Sequence, residues 1–174
     1  MMESDAKVVL VTGGGSGLGN GMAAGLLRTG VRVCVTLRGE ETSAPLDGTC
    51  RYRVDMRDHA ALPGLVEQVV REHGRLDAIV CNAAVQGFGA VADLSRQEWQ
   101  DTIDINLTAP FLLAQAAAPH LKRRRGVIVF VSSVHGVLAA PARTAYAVTK
   151  AGLLAMARNM AADLSSDGVR AVAL

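Results

Sequence analysis

A short apolar run at residues 7–12 leads directly into a glycine-rich segment, residues 13–19, and then into a helical pattern that reaches about Thr29. Glycines allow a ligand to approach the backbone closely, and a helix N-terminus offers free N–H groups and a positive dipole end. Strand, glycine turn and helix in this order predict a phosphate-binding turn in an α/β sheet, with a plain glycine turn as the alternative. The candidate binding residues are Thr12, Gly13, Gly15, Ser16, Gly17, Leu18 and Gly19.

The rest of the chain alternates between apolar strands and helices. Further strands are predicted at 31–37, 50–54, 76–80, 127–131 and 169–174, and helices at 62–70, 95–122 and from about 145 to 165, with a loop at 39–49. This alternation predicts a Rossmann-type doubly wound parallel sheet. With 174 residues, half of them hydrophobic, the chain suits one domain over residues 1–174.

Polar or small residues follow several of these strands, where ligands bind in such sheets. Arg38 follows the second strand, and a cation there favours a nucleotide that carries a 2′-phosphate, unless Arg38 is only a solvated strand-end residue. Asp55, beside Met56, ends the third strand, where it could accept from an adenine amino group or cap the next helix. The fourth strand leads into the small segment Asn82, Ala83 and Ala84, which leaves room for a ligand.

Tyr146 and Lys150 are four residues apart in a predicted helix and therefore project from one face. An ammonium beside a phenol favours the phenolate, which makes proton transfer to or from a substrate oxygen feasible. Ser133, at the end of the preceding strand, could hold the same oxygen by a hydrogen bond. On its own such a pair also occurs on ordinary surface helices.

The predicted helix 95–122 begins with a capping box at Ser95 and contains Pro110. Proline has no N–H, so we expect a kink and a carbonyl of Asn106 that lacks its usual donor. Such a carbonyl could hold a water molecule for a proton relay.

Composition argues against several other classes of protein. The net charge of +2 and the single basic cluster at residues 122–125 do not predict a nucleic-acid or membrane surface. No stretch reaches the ~18 apolar residues that span a bilayer. Three cysteines without regular spacing and four histidines without ligand spacing predict a cytoplasmic, reduced protein and no metal site.

Taken together, these motifs resemble the short-chain dehydrogenase/reductase family along essentially the whole chain. Thr12-Gly13-x-x-x-Gly17-x-Gly19 matches its cofactor loop, Asp55 its adenine-contacting aspartate, and Asn106, Ser133, Tyr146 and Lys150 its catalytic tetrad. The segment from Cys81 to Ala84 matches its N-N-A-G motif imperfectly.

The resemblance implies hydride transfer between a nicotinamide cofactor and a carbonyl or secondary alcohol. Tyr146 would be the acid/base, Lys150 would hold the nicotinamide ribose, Ser133 would position the substrate oxygen, and Asn106 would hold the relay water. With Arg38, NADP(H) is the expected cofactor and NAD(H) the alternative. The substrate itself is not predicted; the pocket candidates are Gln86, Phe88, His135, Val137 and Arg143.

Members of the resembled family are longer, so the chain looks truncated at its C-terminus, without the substrate lid and last strand. The second hypothesis is therefore a catalytically weak nucleotide-binding or assembly module. The resemblance also implies a homodimer or homotetramer, formed through the helix of residues 95–122 and the helix that contains Tyr146.

Overall fold

The computed structural model describes residues 6–39 and 46–174, so most of the predicted loop 39–49 lies outside the described residues. Six parallel strands form one sheet in the order β3-β2-β1-β4-β5-β6. This is the strand order of a doubly wound Rossmann fold. The direction in which successive strands are added to the sheet reverses between β1 and β4. The strands are β1 Val8–Val11, β2 Arg32–Leu37, β3 Cys50–Arg53, β4 Ala78–Cys81, β5 Val127–Phe130 and β6 Arg170–Ala173.

Helices cover both faces of the sheet. On one face of the sheet, α1 packs against buried side chains of β1 and β2 around Ala23 and Val33. On the other, α2, α4 and α5 contribute to a larger core around Leu65, Leu113 and Leu153. The helices are α1 Gly17–Leu27, α2 Leu62–His73, α3 Arg96–Ile103, α4 Ala109–Lys122 and α5 Thr144–Leu164.

The predicted helix 95–122 starts as expected but is interrupted. Ser95 Oγ accepts from the Glu98 N–H at 3.1 Å, and the Glu98 carboxylate accepts from the Ser95 N–H at 3.0 Å, which completes the capping box. The five residues Asp104–Thr108 form a π-helical turn between α3 and α4. The Ala109 N–H accordingly bonds the Asp104 carbonyl, five residues back. Pro110, which cannot donate, lies just after this turn.

The fourth strand begins later than predicted, at Ala78. Asp77, just before it, accepts from the Val8 N–H at 2.8 Å and from Arg75 Nη2 at 2.7 Å. Its own N–H bonds the Val8 carbonyl. Asp77 thus ties the amino ends of β1 and β4 together instead of extending the strand.

Within residues 6–39 and 46–174, no helix combines the length and apolarity that a membrane crossing requires.

Candidate active site

Thr12 and Asn82 join the glycine turn to the end of β4. The Thr12 hydroxyl oxygen accepts from the N–H groups of Asn82 and Ala83, each at 3.0 Å. Asn82 Nδ2 in return donates to the carbonyl oxygens of Thr12 and Gly13, at 2.9 and 3.2 Å. These bonds place the glycine turn beside the Asn82 segment, between β1 and β4, where the strand order reverses.

The glycine turn also depends on positions where any side chain would be in the way. A Cβ on Gly19 would collide with the Gly13 carbonyl, so only glycine lets the first turn of α1 lie against the loop. Gly17 has φ +51° at the start of α1, and a Cβ there would meet nothing within 4 Å. The loop therefore leaves open space in front of the N–H groups at the start of α1.

A cleft of about 650 Å³ lies along the carboxyl ends of the strands. Its volume is within the range of small-molecule sites. Most of the predicted binding residues line it: Gly13, Gly15, Ser16, Gly17, Leu18, Gly19, Arg38, Asp55, Met56, Asn82, Ala83, Ala84, Tyr146 and Lys150. Of the predicted catalytic and cofactor-binding residues, all of which lie in the described part of the chain, Thr12, Asn106 and Ser133 are not in that lining.

Lys150 is buried, with 3% of its surface exposed, and its Nζ donates to the Val131 carbonyl at 2.6 Å. Burial lowers the pKa of Lys150 to about 8. Nζ also lies 5.4 Å from the centroid of the Tyr146 ring. The phenol and the ammonium predicted from their spacing therefore share one wall of the cleft.

Ser133 follows β5 and begins a short 3₁₀ turn, Val134–Gly136. Its Oγ accepts from the His135 N–H at 3.2 Å. At this strand end Val131 and Ser132 line the cleft, and Ser132 Oγ donates to the Lys150 carbonyl at 2.8 Å. Ser132 thereby connects the end of β5 to α5.

Asn106 lies in the π-helical turn and is buried. Its Oδ1 accepts from the Val85 N–H at 2.8 Å, and its Nδ2 donates to the Val85 carbonyl at 2.8 Å. Nδ2 also lies 3.3 Å from Thr149 Oγ1. The side-chain amide therefore holds the loop after β4. A proton relay through Asn106 would have to use its main-chain carbonyl.

Asp55 lines the cleft and is paired with Arg57. Its carboxylate accepts from the Arg57 N–H at 2.9 Å and from Arg57 Nη2 at 2.6 Å. Hydrogen bonds from Arg57 are the main reason that the pKa of Asp55 lies below its usual range. An adenine amino group would have to share this carboxylate with Arg57, which the sequence analysis did not single out.

Of the predicted pocket residues, Gln86 lines the cleft, and Arg143 and Phe88 are linked to it. Arg143 Nη1 donates to Gln86 Oε1 at 2.8 Å, and its guanidinium lies 3.8 Å from the centroid of the Phe88 ring. Gln86 lines the cleft, whereas Val137 is mostly exposed. His135 packs edge-on against Tyr146, with the ring centroids 6.4 Å apart.

Thr36, Ser132, Val85 and Thr149 also support the site but were not predicted from the sequence. Thr36 Oγ1, for example, accepts from the Gly13 N–H at 3.0 Å. Its position at the end of β2 was the one available signal, because strand C-terminal ends converge on the ligand crevice.

Comparisons with known proteins agree with this geometry. A family model described as short chain dehydrogenase matches residues 7–174. An uncharacterized oxidoreductase of Thermotoga maritima is 34% identical over 97% of this chain, which spans 70% of that protein. A 3-oxoacyl-acyl-carrier-protein reductase, FabG, of Staphylococcus aureus is 32% identical over 94% of the chain and is likewise covered to 70%.

A crystal structure of a short-chain dehydrogenase from Streptomyces avermitilis superposes with a TM-score of 0.90 at 29% identity. The match includes 99% of this chain and 65% of that one, so the chain spans slightly less than two thirds of that protein. Fold, cleft and sequence agree over almost the whole length, and the chain belongs to the short-chain dehydrogenase family.

Proposed function

We propose that the cleft binds a nicotinamide dinucleotide and that the protein interconverts a carbonyl compound and a secondary alcohol. The observation that carries this proposal is that Tyr146 and Lys150 line the same cleft as the glycine turn. A proton-transferring group and a phosphate-binding turn are thereby combined in one site.

The residues present suit such a cofactor. The turn before α1 offers backbone N–H groups and the positive end of an 11-residue helix, and Gly17 leaves the approach open. The cleft continues past Arg38 and Asp55 on one side and to Lys150 on the other. When bound, the cofactor would supply or accept the hydride at its nicotinamide C4.

The protein would supply the proton. In the reducing direction, Tyr146 donates its hydroxyl proton to the carbonyl oxygen of the substrate, and in the oxidising direction it takes the proton from the alcohol. The Lys150 ammonium favours the phenolate that remains and holds the nicotinamide ribose. Ser133 positions the substrate oxygen, and the main chain of Asn106 holds the water that returns the proton to Tyr146.

NADP(H) is the proposed cofactor, with NAD(H) as the alternative. Arg38 is exposed, lines the cleft after β2, and lies close enough to contribute to the field at Asp55. Arg57 adds a second guanidinium nearby, although in this structure it is paired with Asp55. Two cations around the position of an adenosine ribose favour a 2′-phosphate.

The substrate is proposed only as a class. One relative is named for an acyl ketone reduction and another, an L-fucose dehydrogenase of Bos taurus, for a sugar. These names share only carbonyl and secondary alcohol chemistry. Gln86, Arg143 and His135 are the side chains that would contact the substrate.

We also propose a homodimer or homotetramer, formed through α3, α4 and α5. Phe111 and Val148 on two of these helices are large apolar side chains with 42% and 44% of their surface exposed. A cytoplasmic location remains a prediction from the sequence.

Titration of the chain with NADPH and separately with NADH, followed by nicotinamide fluorescence, tests this function. We expect tighter binding of NADPH and a preference that disappears in Arg38→Ala. Failure of the folded chain to bind either nucleotide would overturn the proposal. Equal binding of both by the wild type would overturn the NADP(H) preference alone.

A further inference from the structure

A second cluster of reactive side chains lies away from the cleft. Cys34 and Cys50 are register partners on the neighbouring strands β2 and β3, and His73 is the last residue of α2. One ligand atom from each lies within 4.8 Å of the other two. None of the three lines the cleft, which lies at the carboxyl ends of the strands.

The hydrogen bonds around His73 orient its ring. Tyr52 Oη donates to the Glu72 carboxylate at 2.6 Å and lies 3.0 Å from His73 Nε2. The tyrosine hydroxyl has a single proton, and it points to the carboxylate. Tyr52 Oη must then accept from Nε2–H, which leaves the lone pair of the ring on Nδ1.

That Nδ1 lone pair already faces a cation. Arg32 Nη1 lies 3.3 Å from it, and the guanidinium also acts on the Cys34 thiol. A ring whose far N–H is fixed by a tyrosine and a carboxylate is typical of an oriented ligand histidine.

We propose that Cys34, Cys50 and the His73 ring bind a divalent cation of the zinc class, with water in the fourth position. Two sulfur ligands and one imidazole suit zinc, which takes four ligands in a tetrahedron. Binding releases the two thiol protons to solvent, and Arg32 moves away from the ring as the cation enters. Half-buried Cys50 and His73 provide the path inward to buried Cys34.

Metal affinity should rise with pH, because the cation has to displace both thiol protons. The sequence spacing of the three ligands matches no short metal motif, since they come from two strands and a helix. Only the sheet register and the end of α2 bring them together.

Cobalt(II) titration of the reduced, metal-free chain at pH 8 tests the site. We expect one cobalt per chain, a thiolate-to-cobalt charge-transfer band, tetrahedral d–d absorption, and release of the cobalt by one equivalent of zinc. Cys50→Ser and His73→Ala should weaken binding by at least tenfold, and Arg32→Gln should tighten it. Cys81→Ser changes the third cysteine, which is outside the cluster, and should behave as the wild type.

Circular dichroism of each variant shows that it is folded before the metal is added. The absence of a charge-transfer band from the folded, reduced wild type would overturn the proposal. So would a band that survives unchanged in Cys50→Ser or His73→Ala, or one that disappears in Cys81→Ser.

Discussion

Asn106 binds both backbone groups of Val85 through its side-chain amide, with Oδ1 and Nδ2 each at 2.8 Å. A buried residue of the π-helical turn thereby fixes the loop that follows β4, and this loop borders the cleft. The residue placed in a proton relay by family resemblance thus has a clear structural task for its side chain.

Asn106→Ala should destabilise the protein by about 2–4 kcal/mol, because it leaves the N–H and the carbonyl of Val85 without their partners. The measurement is the free energy of unfolding in urea. Thr149→Val serves as control: it removes a single longer contact to Asn106, 3.3 Å, and the bond from Thr149 Oγ1 to the Tyr146 carbonyl. We expect it to destabilise less; equal or greater destabilisation would contradict this account.

Gly19→Ala should disrupt the glycine turn, because its Cβ would collide with the Gly13 carbonyl. We expect NADPH affinity to fall by at least tenfold, measured by nicotinamide fluorescence. Gly21→Ala is the matched control in the same helix, since a Cβ there meets nothing within 4 Å. It should stabilise α1 by about 0.5–1 kcal/mol and leave affinity unchanged. If Gly19→Ala bound NADPH as tightly as the wild type, the close contact between Gly19 and the Gly13 carbonyl would not be needed for binding.

Lys150 should make stability depend on pH in the alkaline range. Its folded pKa of about 8 lies below that of an unfolded lysine, so the folded state carries the full penalty for the buried charge below pH 8. The penalty is relieved as pH rises from about 8 to about 10.4, by at most about 3 kcal/mol. Relative to Lys150→Met, the wild type should therefore gain stability across this window.

Unfolding free energies of the two proteins at several pH values give this difference, and the contributions of other alkaline groups cancel in it. A difference that stays flat between pH 7 and pH 10 would show that Lys150 keeps an ordinary lysine pKa.

Pro110→Ala should impair catalysis without weakening cofactor binding. The new N–H at position 110 can bond a carbonyl of the π-helical turn, four or five residues back, and so compete with a relay water at Asn106. We expect kcat to fall severalfold while the dissociation constant of NADPH stays constant. Pro119→Ala changes an exposed proline inside α4 and should leave kcat unchanged. An intact rate in Pro110→Ala would count against the relay.

The strands and the cleft lining were largely predictable from the sequence because they depend on local patterns. Apolar runs, the capping box at Ser95 and the glycine turn each involve neighbours along the chain. In a parallel sheet, strand ends then converge on one edge, so Arg38 and Asn82 line a common cleft.

Side-chain pairings between distant elements were not predictable. Two examples are the hydrogen bonds between Asn106 and Val85 and the cluster of Cys34, Cys50 and His73. Both depend on how elements far apart in the chain pack together. The pairing of Asp55 with Arg57 is local, but it depends on rotamers that no sequence pattern specifies. The π-helical turn just before Pro110 was likewise not predicted, because the sequence indicated only that a donor would be missing there.

The most direct test of the central claim is turnover of NADPH with a panel of ketones and aldehydes by the wild type and by Tyr146→Phe. The variant keeps the ring and loses only the hydroxyl group. We expect it to bind NADPH as the wild type does and to lose at least about 10²-fold in rate. Turnover by Tyr146→Phe within twofold of the wild type would contradict the role of Tyr146 as acid/base.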